Sequence, residues 1–428
     1  MLDSESLFLE SLIDSQNRNS NMRLKRHRVA ILGGAFPPSG GGVDTAHYAL
    51  YELLRNVHDV KLFAFCDSRS SDEVVARSKG RPWMNRGLAL LSAQYVRRVD
   101  PGGDSFDSQR IASTIPAVLN LNSALRRHRP DIVFVPDFAV PGLALIRPRG
   151  AKLVWVAHHN YERFNNVPLL PSSGWYDKFL AHRLEKRALR KFDYAIFPSR
   201  YMERVFRQTL HPSLPGSVLR HALRVTPEQT PDRALIRSDM GLAANTVLIY
   251  IPSGGTAVKG ERYVFEIVRR LASKIRDIRF FISGDVNARL RSEISGVLSE
   301  NQLIAPGQLS LDENLKYVAA ADLAVSPTLL ENFSCALMEA QSLGVPCVTF
   351  NVGGNRELIC DGRTGYVVPY LDIEALVARS AELIMNSDAR AAMATHSLSR
   401  SADLSDPDKL LATYSEMMES VLDSRPQS

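Results

Sequence analysis

At 428 residues the chain is too long for one compact core and fits two domains of ordinary size. Hydrophobic residues make up 45% and charged residues 23%, which is normal for a soluble globular protein. The net charge of +6 and pI near 9.1 admit nucleic acid as a partner, but no aromatic-and-basic module stands out, so none is expected. Basic residues cluster at 23–28 (RLKRHR), 126–128 and 183–191 (RLEKRALRK). Such clusters suit either an anionic membrane surface or solvated helix faces. The four cysteines, Cys66, Cys335, Cys347 and Cys360, show no C-x-x-C spacing, so buried free thiols in a reducing compartment are expected. The longest apolar stretch, 132–146, is interrupted by Asp137 and two prolines and is shorter than the ~20 residues a membrane span needs. Acidic residues (Asp3, Glu5, Glu10) precede basic ones at the N-terminus, the wrong order for a signal peptide. A cytoplasmic protein follows, peripheral at the inner membrane face if the basic clusters meet lipid.

Residues 1–26 form an expected flexible tail, with 7–13 (LFLESLI) as a short amphipathic segment. Structure is expected to begin with a strand at 28–32 that feeds a glycine-rich loop, then a helix at 44–56 and a strand at 60–64. Strand, glycine loop, helix, strand is the opening of a doubly wound α/β domain. Further strands are expected at 131–135, 153–157, 194–197 and 218–223, with a helix at 178–191. The intervening stretches 68–116 and 161–175 read as loops. Pro227 and Pro231 then punctuate a polar boundary.

The alternation repeats in a second domain, 224–408. Strands are expected at 247–252, 279–283, 303–305, 323–326 and 347–350, and helices at 261–274, 288–298, 312–320 and 334–343. The fold class is α/β, with two parallel-sheet, Rossmann-like domains facing each other across a cleft.

The most informative stretch is 330–339, LENFSCALME, where Glu331 and Glu339 stand eight positions apart. The apolar run 323–328 upstream reads as a buried strand, and the residues after Ser334 read as a helix stopped by Gly344. One carboxylate therefore sits in the loop beyond a strand's C-terminal end, the other on the following helix. That is where open parallel sheets bind ligands, and a helix N-terminus there suits a phosphate. Two carboxylates flanking an anion site suit a ligand carrying both phosphates and hydroxyls, such as a sugar nucleotide.

This segment resembles the donor-site E-x7-E motif of retaining glycosyltransferases with the GT-B fold, family four. The following LGVP (343–346), strand 347–350, Gly353 and Gly354, and Glu357, Asp361, Gly362 and Gly365 continue the family's pattern in order. The likeness is specific over 246–369 and weaker from 28 to 223. It implies a GT-B fold of domains 27–223 and 224–408, with a C-terminal helix (409–428) returning to the first. It also implies donor binding without an obligatory metal; no cysteine and histidine spacing here suggests one, and no cofactor is expected.

Carried over position by position, the resemblance implies that Glu339 accepts bonds from the donor ribose. Glu331 then contacts the sugar hydroxyls, and Phe333, Ser334 and Cys335 line the donor site. Lys259 matches the family's diphosphate lysine. The arginine usual about five positions earlier is absent: Ser253, Gly254 and Gly255 stand there. Backbone N–H groups of that glycine loop, or a basic residue from elsewhere, would take its place. Gly40, Gly41 and Gly42 resemble the first domain's glycine-rich loop near the diphosphate. His159, in H-N-x-E form, matches the family's strand-end histidine, and His158 does so if the register slips by one. Ser199 matches a cleft serine, Arg200 is a candidate for an anionic acceptor or for the missing arginine, and Asp285 matches a mainly structural turn near the base.

The function so implied is transfer of a hexosyl unit from a nucleoside-diphosphate sugar to a hydroxyl of a glycan or lipid-linked acceptor, with retention. The missing arginine motivates an alternative, a non-catalytic nucleotide-sugar-binding protein or partner subunit. An epimerase or hydrolase on the same fold would need an acid–base pair that the sequence does not show.

Overall fold

The computed structural model describes residues 25–37, 41–66, 74–77, 82–102, 105–161, 167–170, 173–222, 232–299 and 301–424. Residues 1–24 of the expected tail (1–26), Gly40, Glu162 and the boundary at 223–231 lie outside them.

A first sheet is built from β1 (Arg28–Gly33), β2 (Asp59–Ala64), β3 (Val74–Arg77), β4 (Ile132–Pro136), β5 (Lys152–Val156), β6 (Tyr194–Phe197) and β7 (Gly216–Val218). Their order is β3-β2-β1-β4-β5-β6-β7. The second sheet contains β8 (Val247–Ile251), β9 (Ile278–Ile282), β10 (Leu303–Ile304), β11 (Leu323–Ser326), β12 (Cys347–Phe350) and β13 (Gly365–Val368), ordered β10-β9-β8-β11-β12-β13. Every ladder is parallel; Ile31 of β1, for instance, lies between Leu62 and Phe134. The strand order reverses between β1 and β4 and again between β8 and β11, and at such switch points the loops part and open a crevice.

Parallel strands covered by helices on both faces read as continuous apolar runs, and both sheets obey this. In β1, Ala30 and Leu32 enter one core while Val29 and Ile31 enter the other; in β8, Ile249 and Ile251 face one side and Leu248 and Tyr250 the other. The last helix, Pro407–Asp423, is started by Asp406, whose carboxylate accepts from the backbone N–H of Asp408 and Lys409. Its buried face, Tyr414, Met417, Met418 and Val421, packs on the Val29 and Ile31 face of the first sheet, not on the second. Lys152 at the start of β5 donates to the Ser424 carbonyl at 2.6 Å and fixes that return.

Three expectations need correction. The stretch 68–116 is not loop throughout: it holds β3, the helix Pro82–Val99 and the start of the helix Phe106–His128. That second helix carries Pro116 inside it. Its stripe of Ile111, Val118, Leu121 and Leu125 is nonetheless buried in the core, and the stripe's burial outweighs one lost backbone bond. The seventh strand, β7, falls at Gly216–Val218, short of the expected 218–223. Among the cysteines, all free, Cys347 is buried but Cys66 is exposed. No described helix is long and apolar enough to cross a membrane.

Candidate active site

A cleft of about 750 Å³ runs along the C-terminal ends of both sheets. Its second-domain wall starts in the loop after β8, which turns through Ala257–Lys259 and Gly260. Gly260 has φ +84°, and a Cβ there would lie 2.0 Å from the Pro327 carbonyl oxygen. The missing side chain lets this loop close onto the one after β11, where Leu329 N–H donates to the Val258 carbonyl at 2.9 Å. That contact brings Lys259 beside Glu331, Nζ to Oε2 at 2.6 Å, with the lysine still about one-third exposed and the carboxylate largely covered.

Beyond Glu331, Ser334 caps the helix Cys335–Ser342 by accepting the Leu337 N–H at 3.4 Å. Leu337, Met338 and Ala340 are buried in the core beneath it, while Cys335, Ala336 and Glu339 line the cleft. The first-turn N–H groups of this helix and its positive dipole end therefore face the space beside Glu331. Burial, then Glu339 and Glu331, push the Cys335 thiol up to about 12. It stays uncharged and puts no anion where a phosphate would sit. Further along, Ser283, Gly284, Asp285, Gln308, Asp312 and Asn314 extend the wall.

The first-domain wall is made of Pro37, Gly42, Val43, Thr45, His158 and His221. Asp44 holds its glycine loop: one carboxylate oxygen accepts from the Gly34 and Ala35 N–H groups and the other from Gly41. His158 stacks on His221 with ring centres 4.9 Å apart and an interplanar angle of 24°. Behind it His47 lies 5.2 Å away, held by its Nδ1 contact to the Leu32 carbonyl at 2.7 Å. Burial, then His221 and His47, hold the His158 imidazole well below its ordinary value. Burial and His47 bring His221 down to about 4, with Glu331 opposing. Near neutral pH this wall carries no charge from its imidazoles.

The two domains meet beside the cleft. Ser199 Oγ donates to Asn332 Oδ1 at 3.0 Å, and Asn332 Nδ2 donates to the Ala157 carbonyl at 3.3 Å. Glu357 caps the helix Arg200–Thr209 across the domain boundary, accepting the N–H groups of Arg200 and Tyr201 at 2.9 and 2.8 Å.

Of the residues expected at the site, Lys259, Glu331, Phe333, Ser334, Cys335, Glu339, Gly42 and His158 share the cleft lining, with Asp285 beside them. His159 does not: it is buried with its ring against Phe138 and Tyr161, so the one-residue register slip places His158 at the wall. Gly254 and Gly255 also stand back. A Cβ on Gly255 would lie 1.8 Å from the Asp285 carbonyl oxygen, so the loop's close packing there requires glycine. Gly41 lies one residue before the lining. Ser199 and Arg200 belong to the domain junction, and Arg200 lines a second hollow of about 330 Å³ with Arg220, Glu357 and Lys409. Among the described residues Lys259 is the sole lysine or arginine lining the cleft; Arg220 stands just behind it, its guanidinium 6.0 Å from the centre of the Phe333 ring. Sequence reasoning missed His221, His47, Asp44 and Asn332. Asn332 is flanked by the motif glutamate and was within reach, whereas His221 sits in LRHALR with no pattern around it.

The family profile described as glycosyl transferases group 1 matches residues 233–399, and that of glycosyltransferase family 4 matches residues 39–217. The chain belongs to the retaining GT-B glycosyltransferases of family four. This glycosyltransferase is 24% identical over 389 residues to a GDP-mannose-dependent alpha-(1-6)-phosphatidylinositol monomannoside mannosyltransferase of Mycolicibacterium smegmatis, covering 85% of this chain and 91% of the relative. It is also 24% identical over 395 residues to a GDP-mannose-dependent alpha-mannosyltransferase of Corynebacterium glutamicum, covering 86% and 82%. Its fold is that of sucrose-phosphate synthase from Thermosynechococcus elongatus, with a TM-score of 0.73 at 15% identity, covering 92% of this chain and 99% of the other.

Proposed function

We propose that the enzyme transfers a mannosyl unit from GDP-mannose to a hydroxyl of a lipid-linked or glycan acceptor, with retention. The carrying observation is the Lys259–Glu331 pair set between a helix N-terminus and a neutral histidine wall. The donor diphosphate would lie over the first turn of the helix Cys335–Ser342, with Lys259 Nζ on its oxygens. Glu339 would accept from the ribose hydroxyls and Glu331 from the sugar hydroxyls. The choice of GDP-mannose is supported by two relatives that match most of this chain, both GDP-mannose-dependent.

No carboxylate of the described first-domain wall faces the cleft to serve as a nucleophile from the opposite side of the sugar. A front-face displacement fits that arrangement. The acceptor oxygen bonds to the anomeric carbon as the bond to the β-phosphate oxygen breaks, and the acceptor's proton passes to that departing oxygen. Lys259 stabilises the charge growing on the diphosphate. His158 and His221, being neutral, orient hydroxyls by hydrogen bonding and hold no charge that would draw the diphosphate across the cleft.

Thermal unfolding with a panel of UDP-, GDP- and ADP-sugars tests the donor, and GDP release on adding phosphatidylinositol-type or mannan acceptors tests transfer. Stabilisation by GDP-mannose that vanishes in Glu339→Ala is the expected result. Stabilisation by a different nucleotide alone would overturn the donor assignment. Binding with no GDP release under any acceptor would favour a non-catalytic binding role, the reading that the missing arginine motivates.

A further inference from the structure

Eight of the large apolar side chains exposed in the described residues lie on three helices of the first domain. On the helix Pro82–Val99, Leu91, Tyr95 and Val99 follow an i, i+4, i+8 stripe, with Leu91 61% and Tyr95 52% exposed. Such a stripe turns inward on a helix that packs by it; here Ala93 and Val96 do the packing and the stripe is left outside. The stripe continues onto the helix Trp175–Leu189: the Tyr95 and Tyr176 hydroxyls are 3.0 Å apart, and Tyr176 contacts both Trp175 and Phe179. Trp175 is 62% exposed. Phe106, also exposed, opens the helix Phe106–His128, which is tied to this group through the Asp107 N–H to Asp177 bond at 2.9 Å.

Charge on the same face is mainly positive; its two half-buried carboxylates are spent within the face, Asp100 accepting the Tyr176 N–H and Asp107 the Ser173 hydroxyl. The helix Pro82–Val99 contains no acidic residue and ends in Arg97 and Arg98. The helix Trp175–Leu189 contains two, Asp177 and Glu185, and both are fully buried, while Arg183, Lys186 and Arg187 are exposed. Arg183 also lies over the Phe179 ring, 5.5 Å from its centre. Aromatic and aliphatic side chains rimmed by uncompensated cations complement an anionic lipid interface, where rings sit at headgroup depth and cations meet phosphates. A protein partner of ordinary polarity would leave those cations without a matching array.

Position adds a second argument. In a parallel α/β unit the helix runs back from the strand's C-terminal end, so the N-termini of the helices Phe106–His128 and Trp175–Leu189 lie at the sheet edge that carries the cleft. Trp175 and Phe106 are therefore at the cleft end of the domain.

We propose that this three-helix face docks the enzyme on an anionic bilayer with its cleft toward the lipid headgroups. The proposal extends the lipid-linked half of the acceptor assignment but is tested without any acceptor. Full-length protein is sedimented with vesicles of phosphatidylglycerol and phosphatidylcholine, and with phosphatidylcholine alone. Strong binding is expected only to the anionic vesicles. Arg183→Glu with Lys186→Glu and Arg187→Glu should weaken it ten-fold or more, and so should Leu91→Ser with Trp175→Ser. Unchanged unfolding temperatures in both variants establish that they fold. Failure of the native chain to bind, or full binding by both variants, overturns the proposal. Self-association that the Leu91→Ser, Trp175→Ser variant abolishes, without vesicle binding, would assign the face to a second copy and overturn it as well. A protein stabilised by GDP-mannose that ignores vesicles loses only this surface; one that binds vesicles but no donor loses only the donor assignment.

Discussion

On the second-domain side of the cleft, charge does the work: Lys259, Glu331 and Glu339 stand on loops and a helix that one motif specifies. On the first-domain side the same space is bounded by His158 and His221, backed by His47, from three segments far apart in the chain. One wall is charged and local in sequence; the other is neutral and assembled only by folding. In the proposed binding mode the charged wall would face a leaving group that gains charge as the bond breaks, and the neutral wall the hydroxyls. A cation on the second wall would compete with Lys259 for the diphosphate.

The largest expected effect breaks the charged wall. Lys259→Ala removes the cation from the leaving group and breaks its ion pair with Glu331. The turnover number for GDP release should fall by about 10²–10³, and a variant of near-native rate would exclude Lys259 from the chemistry. Glu339→Ala comes next. Hydrogen bonds to a charged group are worth about 1.5–3 kcal/mol, so donor Kd by calorimetry should rise roughly 10- to 100-fold with little change in fold.

Asn332→Ala tests what keeps the walls facing each other. It removes the bonds to Ser199 and Ala157 together, and denaturant unfolding should show a loss of about 1–3 kcal/mol. Adding Ser199→Ala should then cost only its helix cap on the Met202 N–H, about 1 kcal/mol, since the shared bond is already gone; full additivity of the two single losses would mean that the contact does not hold the domains.

The smallest effect concerns the neutral wall and appears in acid. The folded His221 binds its proton only near pH 4, whereas an unfolded imidazole binds it at 6.5. Between those values the unfolded chain holds more protons, so stability must fall as pH drops through that window. One such imidazole sets a slope of at most about 1.4 kcal/mol per pH unit. His221→Gln should flatten the acid limb of the stability curve by up to that amount while leaving donor Kd within about two-fold. An unaltered limb would mean that His221 is protonated in the folded state.

The contrast between the walls also explains what could be read from the sequence. The β11 strand, the Ser334 cap and both glutamates follow one another in chain order, so local pattern carries them to the cleft. The histidine wall depends on how β5, β7 and the helix Gly42–Leu54 pack, and single-residue register decides between His158 and His159. At the end of β5 either residue continues the apolar strand; Asp137, which accepts the backbone N–H of both, sets which ring turns to the cleft. Strands β3 and β13 were missed because four residues at a sheet edge leave too short a run for an alternation or an apolar block to show. The helix Phe106–His128 begins inside a stretch that reads as loop, and its Pro116 is tolerated because the stripe around it is buried.

Asn332 and Glu331 share a peptide bond, and that adjacency joins two events. Asn332 bonds Ser199 and the Ala157 carbonyl of the first domain, while Glu331 is the residue proposed to hold the sugar. Any opening of the cleft that parts those bonds would carry Glu331 away from the first-domain wall. Gate and tool would then move as one piece, so that an open enzyme would also be a disarmed one.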